Sequence, residues 1–360
     1  MPGRRTGSAS LPLHGGKAPP WLFQRMVRLS RAILWHLSSE YGPDEVLRRL
    51  SDPFWFQALG CALGFDWHSS GVTTTTCGAL KEAVRGSEES FGLWVMGGKG
   101  ATSRRTPSEI AAACETTGHD GDALARASRL AAKVDNTAVQ SGHQLYHHSF
   151  FLTASGSWAI VQQGMRATDR TARRFHWLGE QVESFVEEPH AAVCADRWGE
   201  EVLNLVAAES GDARATIAEV ARETRPDDAE KLLVGLPTLE LPHRHPLFAA
   251  ADIEPRHLRK VLLETYENSP EDFEALLGVQ GLGPKTLRAL ALVAELVYGT
   301  PVSLRDPARF AFAHGGKDGT PMPVDRSTYD TTIETLNRAL QGVDRSERVA
   351  ALKRLARLAP

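Results

Sequence analysis

Residues 276–290 read LLGVQGLGPKTLRAL, a stretch whose local chemistry sets two helices around a tight turn. Leu276, Leu277 and Val279 are apolar and lead into Gly281-Leu282-Gly283. Pro284 then opens a second run, expected to be a helix, that continues through Leu287, Leu290 and Leu292. Proline suits the first position of a helix because its missing N–H has no partner there in any case. The two glycines allow backbone conformations that a Cβ resists. The expected product is a helix N-terminus with unpaired N–H groups and little side chain in front of it, a place that attracts anions. Lys285 and Thr286 add a positive charge and a hydroxyl at the same spot.

From Pro270 to about Ala294 this stretch resembles the helix–hairpin–helix motif, which grips one DNA phosphate backbone without reading sequence. The resemblance implies DNA as a partner, contacted by Gly281, Gly283, Lys285 and Thr286. Such a grip positions a protein on nucleic acid and leaves specificity to other contacts. The alternative reading of the same glycines is a plain structural turn.

Working outward, a chain of 360 residues should hold two or three domains, and 42% hydrophobic content supplies real cores. No apolar run approaches the roughly 18 residues a membrane span needs. The first residues, MPGRRTGSASLPLHGGK, contain arginines with no apolar core behind them, so no secretory signal is expected. Cys61, Cys77, Cys114 and Cys194 form no CxxC pair, which suits a reducing cytoplasm and argues against structural zinc. The net charge is −3, and residues 191–241 concentrate the acidity, with 5 Lys/Arg against 11 Asp/Glu. Neither end has the basic excess of a nonspecific DNA coat, so local phosphate sites must supply any affinity.

Helices are expected over Trp21–Gly42, Pro43–Leu50 and Phe54–Leu63, the last capped by Asp52-Pro53. Strands are expected at Val72–Thr76, Leu93–Met96, Leu145–Thr153 and Trp158–Gln163, the last two joined by a hairpin at Ala154-Ser155-Gly156-Ser157. Helices at Pro107–Glu115 and Asp122–Val134 lie between them. From Asp169 onward the pattern reads as almost wholly helical: Trp198–Ser210, Ala213–Glu223, Pro255–Tyr266, Pro270–Leu277, Pro284–Tyr298 and Tyr329–Leu340. The proline-rich strip Leu236–Pro246 marks a boundary. The fold class is therefore α+β: a mixed α/β catalytic domain over 1–190, an acidic helical connector over 191–241, and an all-helical DNA-binding domain over 242–360.

Gly-Gly-Lys recurs at residues 15–17, 97–99 and 315–317. Successive N–H groups in glycine turns make anion-binding concavities, with Lys17, Lys99 and Lys317 supplying counter-charge; three ordinary loops are the plainer reading. Taken together, LPLHGGKAP, FQALGCALGFDWHSSGVTT, KVDNTAVQSGHQLYHHSFF, AIVQQGM, FAHGGKDG and PVDR resemble, over nearly the whole chain, a bacterial and archaeal family catalogued as domain of unknown function 763. That resemblance implies no catalytic residues, so the chemistry must be argued from side chains.

Nucleases gather carboxylates, a histidine and a lysine around the scissile phosphate, with a divalent ion steadying the charge. Asp66, His68, Lys99, Asp135, one of His147 and His148, and Gln162 or Gln163 supply those types. By alternation His148 should share the Tyr146/Phe150 face and His147 the other. Arg104 and Arg105 in GGKGATSRR add cationic phosphate contacts. The chain is thus expected to be a DNA-repair nuclease using Mg or Mn, with no organic cofactor. A second reading is a base-excision glycosylase/lyase, with Lys285 forming a Schiff base and Asp325 of Pro323-Val324-Asp325-Arg326 stabilising the sugar cation. A third is a non-catalytic DNA-binding adaptor. His243-Arg244-His245 reads as linker rather than metal site.

Overall fold

The computed structural model of the protein describes residues 18–64, 71–167, 171–195, 201–225, 228, 255–311 and 334. Helix α1 (Pro20–Tyr41) buries Leu22, Met26, Leu29, Ile33, Leu34 and Leu37, a stripe at helical spacing. Gly42, at a φ of 83°, turns the chain into α2 (Pro43–Ser51). Asp52 caps α3 (Pro53–Leu63), its Oδ1 accepting from the N–H of Phe54 at 2.8 Å and of Trp55 at 3.2 Å, as the Asp-Pro pair led one to expect.

Helix α4 (Gly71–Val84) replaces the strand expected at Val72–Thr76. Its β-branched run favours a strand only weakly, and here tertiary packing decides: Val72, Thr73 and Thr76 are buried, and the Thr73 hydroxyl donates to Gln163. A short α5 (Glu88–Phe91) leads to β1 (Leu93–Lys99), then to a 3₁₀ turn at Gly100–Arg105, α6 (Thr106–Thr117) and α7 (Gly121–Lys133). Gly97 has a φ of 81°, and a Cβ there would lie 2.3 Å from the His148 carbonyl oxygen, so glycine is required for β1 to approach its neighbour. The Gly97-Gly98-Lys99 copy is therefore part of a strand, not an anion loop; the other two copies lie outside the described residues.

The remaining strands are β2 (Val139–Gln140), β3 (Gln144–Thr153), β4 (Trp158–Met165), β5 (Ala172–Leu178), β6 (Ala192–Ala195) and β7 (Leu203–Asn204). Helix α8 (Gly211–Glu223) follows, then α9 (Pro255–Asn268), α10 (Phe273–Gly278), α11 (Pro284–Tyr298) and β8 (Phe310–Ala311). The main sheet runs β1-β3-β4-β5-β6-β8, antiparallel except for the β6–β8 pair, and β2 pairs with β7 separately. The expectation of an almost wholly helical pattern after Asp169 is overturned at β5 and β6, and the helix expected at Trp198–Ser210 contains β7 and a 3₁₀ turn at Ala208–Ser210. All seven residues of β5 are buried. A central strand covered on both sides loses the polar/apolar alternation that would have revealed it.

Two apolar layers cover this sheet. One packs α1–α4 against Val95, Phe151, Ala159, Val161 and Leu178. The other packs α6, α7, α8 and the hairpin helices against Phe150, Leu152, Ile160, Phe175 and Trp177. Each fully buried Leu, Ile or Phe contributes about 1.5–3 kcal/mol. Leu276, Leu277, Leu282, Leu287 and Leu290 belong to the same cluster as the sheet residues, so the glycine turn is mounted on the core of the sheet. Over residues 299–311 the chain is not helical. Asp306 accepts a two-pronged hydrogen bond from the buried Arg173 guanidinium (2.7 and 3.0 Å), and β8 joins the sheet edge.

Among the described residues no helix is long and apolar enough to cross a membrane, and all four cysteines are buried and free of disulfides.

Candidate functional site

Helix α7 brings the two halves of the site together. Arg126, Arg129 and Lys133 recur along one stripe of it, which its 3.6-residue turn places side by side. That stripe and Arg104 form one wall of an open groove of about 1230 Å³, and Gly278, Val279, Gln280, Leu282, Gly283 and Pro284 form the facing wall. The turn is held there by α7 itself: Lys133 Nζ donates to the Leu282 carbonyl at 2.7 Å, and Gln140 Nε2 to the Pro284 carbonyl at 2.8 Å. Burial of its ammonium lowers the pKa of Lys133. Arg126 is paired with Glu274 at 2.6 Å, whereas Arg104 and Arg129 are exposed and make no ion pair or hydrogen bond among the described residues.

The turn has the expected form. Gly281 sits at a φ of 82°, Leu282 is buried between the helices, and Gly283 begins α11 with no side chain capping its N-terminus. Gly283 itself is extended, and a Cβ there would meet only the Gly281 carbonyl, at 3.9 Å. Lys285 is exposed at the start of α11, and Thr286 is buried.

Beside the groove a smaller cavity of about 240 Å³ shares Arg104, Arg129, Ala132 and Leu145 with it, and reaches Ser128 and His148. Behind these two lies a chain of buried hydrogen bonds. Ser128 Oγ and His148 Nε2 are 2.8 Å apart, and His148 Nδ1 and Gln162 Oε1 are 2.7 Å apart. Gln162 Nε2 donates to the Ala131 carbonyl at 3.0 Å and to Asp135. Asp135 also accepts from Trp177 Nε1 at 2.9 Å and from His190 Nε2.

This pattern fixes the protons. The Gln162 amide nitrogen faces two oxygens, so its carbonyl faces the ring and can only accept; His148 Nδ1 therefore carries the hydrogen. His148 Nε2 is then a lone pair, and the Ser128 hydroxyl donates to it. Burial, the largest influence, pushes the His148 pKa down, with the Gln162 bond and the Asp135 charge opposing it, so the ring is a neutral base. Asp135 lies in a π turn, Val134–Ala138, directly after α7. Such turns are rare and occur disproportionately at functional sites.

Of the residues singled out by sequence, Asp135, His148 and Gln162 converge. Lys99, His147 and Gln163 lie elsewhere: Lys99 sits over the Tyr146 ring, 5.6 Å from its centre, and His147 bonds the Ser149 hydroxyl at 3.1 Å on the opposite face. Tyr146 is not on the His148 face as alternation suggested. A bulge between Leu145 and His147 shifts the register at Tyr146, and its hydroxyl accepts from Gln163 Nε2 on the His147 side. Arg104 lines both cavities, and Arg105 beside it is exposed. Asp66, His68, Lys17, Lys317 and Asp325 lie outside the described residues. Ser128 was missed. In an alanine-rich helix it resembles any small polar residue, and only the sheet register places it against His148.

Both oxygens of Asp135 are taken up by hydrogen bonds, and among the described residues no three His, Cys, Asp or Glu side chains gather closely enough to hold a metal ion.

No curated protein and no solved structure matches the chain. A family model does, over residues 7–324, and by that extent the chain belongs to the family described as protein of unknown function (DUF763).

Proposed function

We propose that this protein is a DNA-processing enzyme that holds the sugar–phosphate backbone in the groove between α7 and the Gly281–Gly283 turn, without reading sequence, and cleaves phosphodiester bonds in DNA repair. The observation that carries this reading is the pairing across one groove of an uncapped helix N-terminus after a glycine turn with the guanidinium groups of Arg104 and Arg129, which are unpaired among the described residues. Backbone N–H groups at a helix start and arginine forks both suit phosphate oxygens. The helix–turn–helix geometry around Gly281 supports the helix–hairpin–helix assignment.

The glycosylase/lyase reading gains less support, because a Schiff-base lysine must be desolvated to lose its proton and Lys285 is exposed.

The test is binding and cleavage of labelled single-stranded, duplex and abasic DNA, with EDTA, Mg or Mn. Gly283→Val should fold normally, since its Cβ has room, yet weaken binding to every sequence alike by blocking the approach of the phosphate. Scission of undamaged DNA supports the enzyme. A borohydride-trapped adduct lost in Lys285→Ala would transfer the reading to the lyase, and binding without cleavage or adduct would leave an adaptor.

A further inference from the structure

We propose that Ser128 is a nucleophile, activated by His148, that attacks a phosphate ester seated between Arg104 and Arg129; this rests on the reading of the groove as a DNA-backbone site. Three observations meet at this point. Ser128 Oγ lies 2.8 Å from His148 Nε2, within the distance a general base needs. The proton pattern imposed by Gln162 makes that nitrogen the unprotonated one. Both side chains border the small cavity that opens beside the basic groove, so the buried chain ends at space a ligand can enter. A serine held only to fill a helix–sheet contact needs none of these.

The chemistry balances without a further reactant than water. The Ser128 Oγ–P bond forms as its proton passes to His148 Nε2; the P–O bond to the leaving sugar oxygen breaks, and that oxygen takes the proton back from His148. Water then attacks phosphorus, again giving a proton to His148, and the Oγ–P bond breaks as Oγ takes that proton from His148, restoring the serine and the neutral ring. The guanidinium groups of Arg104 and Arg129 stand where charge builds on the non-bridging oxygens. An uncharged acyl ester would have no use for two arginines that line the cavity and have no ion pair among the described residues, which favours the phosphate class.

A fluorophosphonate reagent, which phosphonylates activated serines, provides a readout independent of DNA. The full-length protein should be labelled at Ser128, located by peptide mass, with no labelling of that peptide in Ser128→Ala and a rate at least about 100-fold lower in His148→Ala, the usual contribution of a general base. In parallel, Ser128→Ala should bind duplex DNA as the wild type does but lose cleavage of a labelled oligonucleotide in EDTA. No label on Ser128, together with equal cleavage by wild type and Ser128→Ala, would overturn the nucleophile and leave the backbone grip standing. Label on Ser128 without DNA binding would overturn the nucleic-acid substrate instead. The serine-to-alanine change removes a single oxygen, so loss of folding does not confuse the result.

Discussion

On one face of the central sheet, the His148 ring belongs to a hydrogen-bonded chain that ends at Ser128 beside an open cavity; on the other, the ring of its neighbour His147 bonds Ser149. The His147 face is as polar as the His148 face. Gln163 bonds Thr73 and Tyr146, and Arg174 donates through Nε to His176 at 2.8 Å and through Nη1 to Gln57 at 3.2 Å. The second nitrogen of His176 pairs with the Leu50 carbonyl at 2.9 Å. These groups lie under α1–α4 and serve packing and register. The contrast shows that buried histidines, glutamines and arginines do not mark a site by type. The mark is a hydrogen-bonded chain whose last member, Ser128, borders a cavity.

The comparison can be broken at several places, the first by acid. His147, His148 and His176 are all held neutral by burial, His147 down to about 3 against 6.5 when free. The unfolded chain therefore binds more protons below pH 6.5. Stability is complete above that pH and falls as pH drops through 6.5 toward 3, by about 1.4 kcal/mol per pH unit for each histidine that stays neutral. Thermal melts from pH 7.5 to 4.5 should show this fall, and a flat profile would contradict the neutral assignments. Next, Arg174→Ala removes the guanidinium's bonds to His176 Nε2 and Gln57 Oε1 and opens a large void. It should cost about 3–5 kcal/mol by denaturant melting, with DNA binding intact in the folded protein. Smallest of all, Ser128→Ala should cost only about 1 kcal/mol, the net value of one hydrogen bond, because it borders open space. A large loss there would make Ser128 another structural residue.

Much of the molecule was legible in sequence for physical reasons that can be named. Asp52-Pro53, the stripe of α1, the Ala154–Ser157 turn and the Gly281–Pro284 turn are local signals, set by caps, periodicity and turn chemistry. Asp135, His148 and Gln162 were chosen for their chemistry, and the fold brings them together. What escaped depends on distant partners: VTTTT becomes helical because α4 packs on β4, β5 hides its arginines inside, and Ser128 gains its meaning from a strand 20 residues away in sequence. The bulge at Tyr146 likewise moved one side chain across the sheet in a way that strict alternation cannot foresee.

The central claim is that the groove facing Gly281–Gly283 holds a DNA backbone through Arg104 and Arg129. The most direct measurement is the affinity of wild type and the Arg104→Ala/Arg129→Ala double variant for two duplexes of unrelated sequence across a salt series. Each lost phosphate contact should flatten the plot of log affinity against log salt by about 1, so the double variant should lose about 2 from the slope and weaken equally on both duplexes. An unchanged slope, or a loss confined to one sequence, would contradict the account.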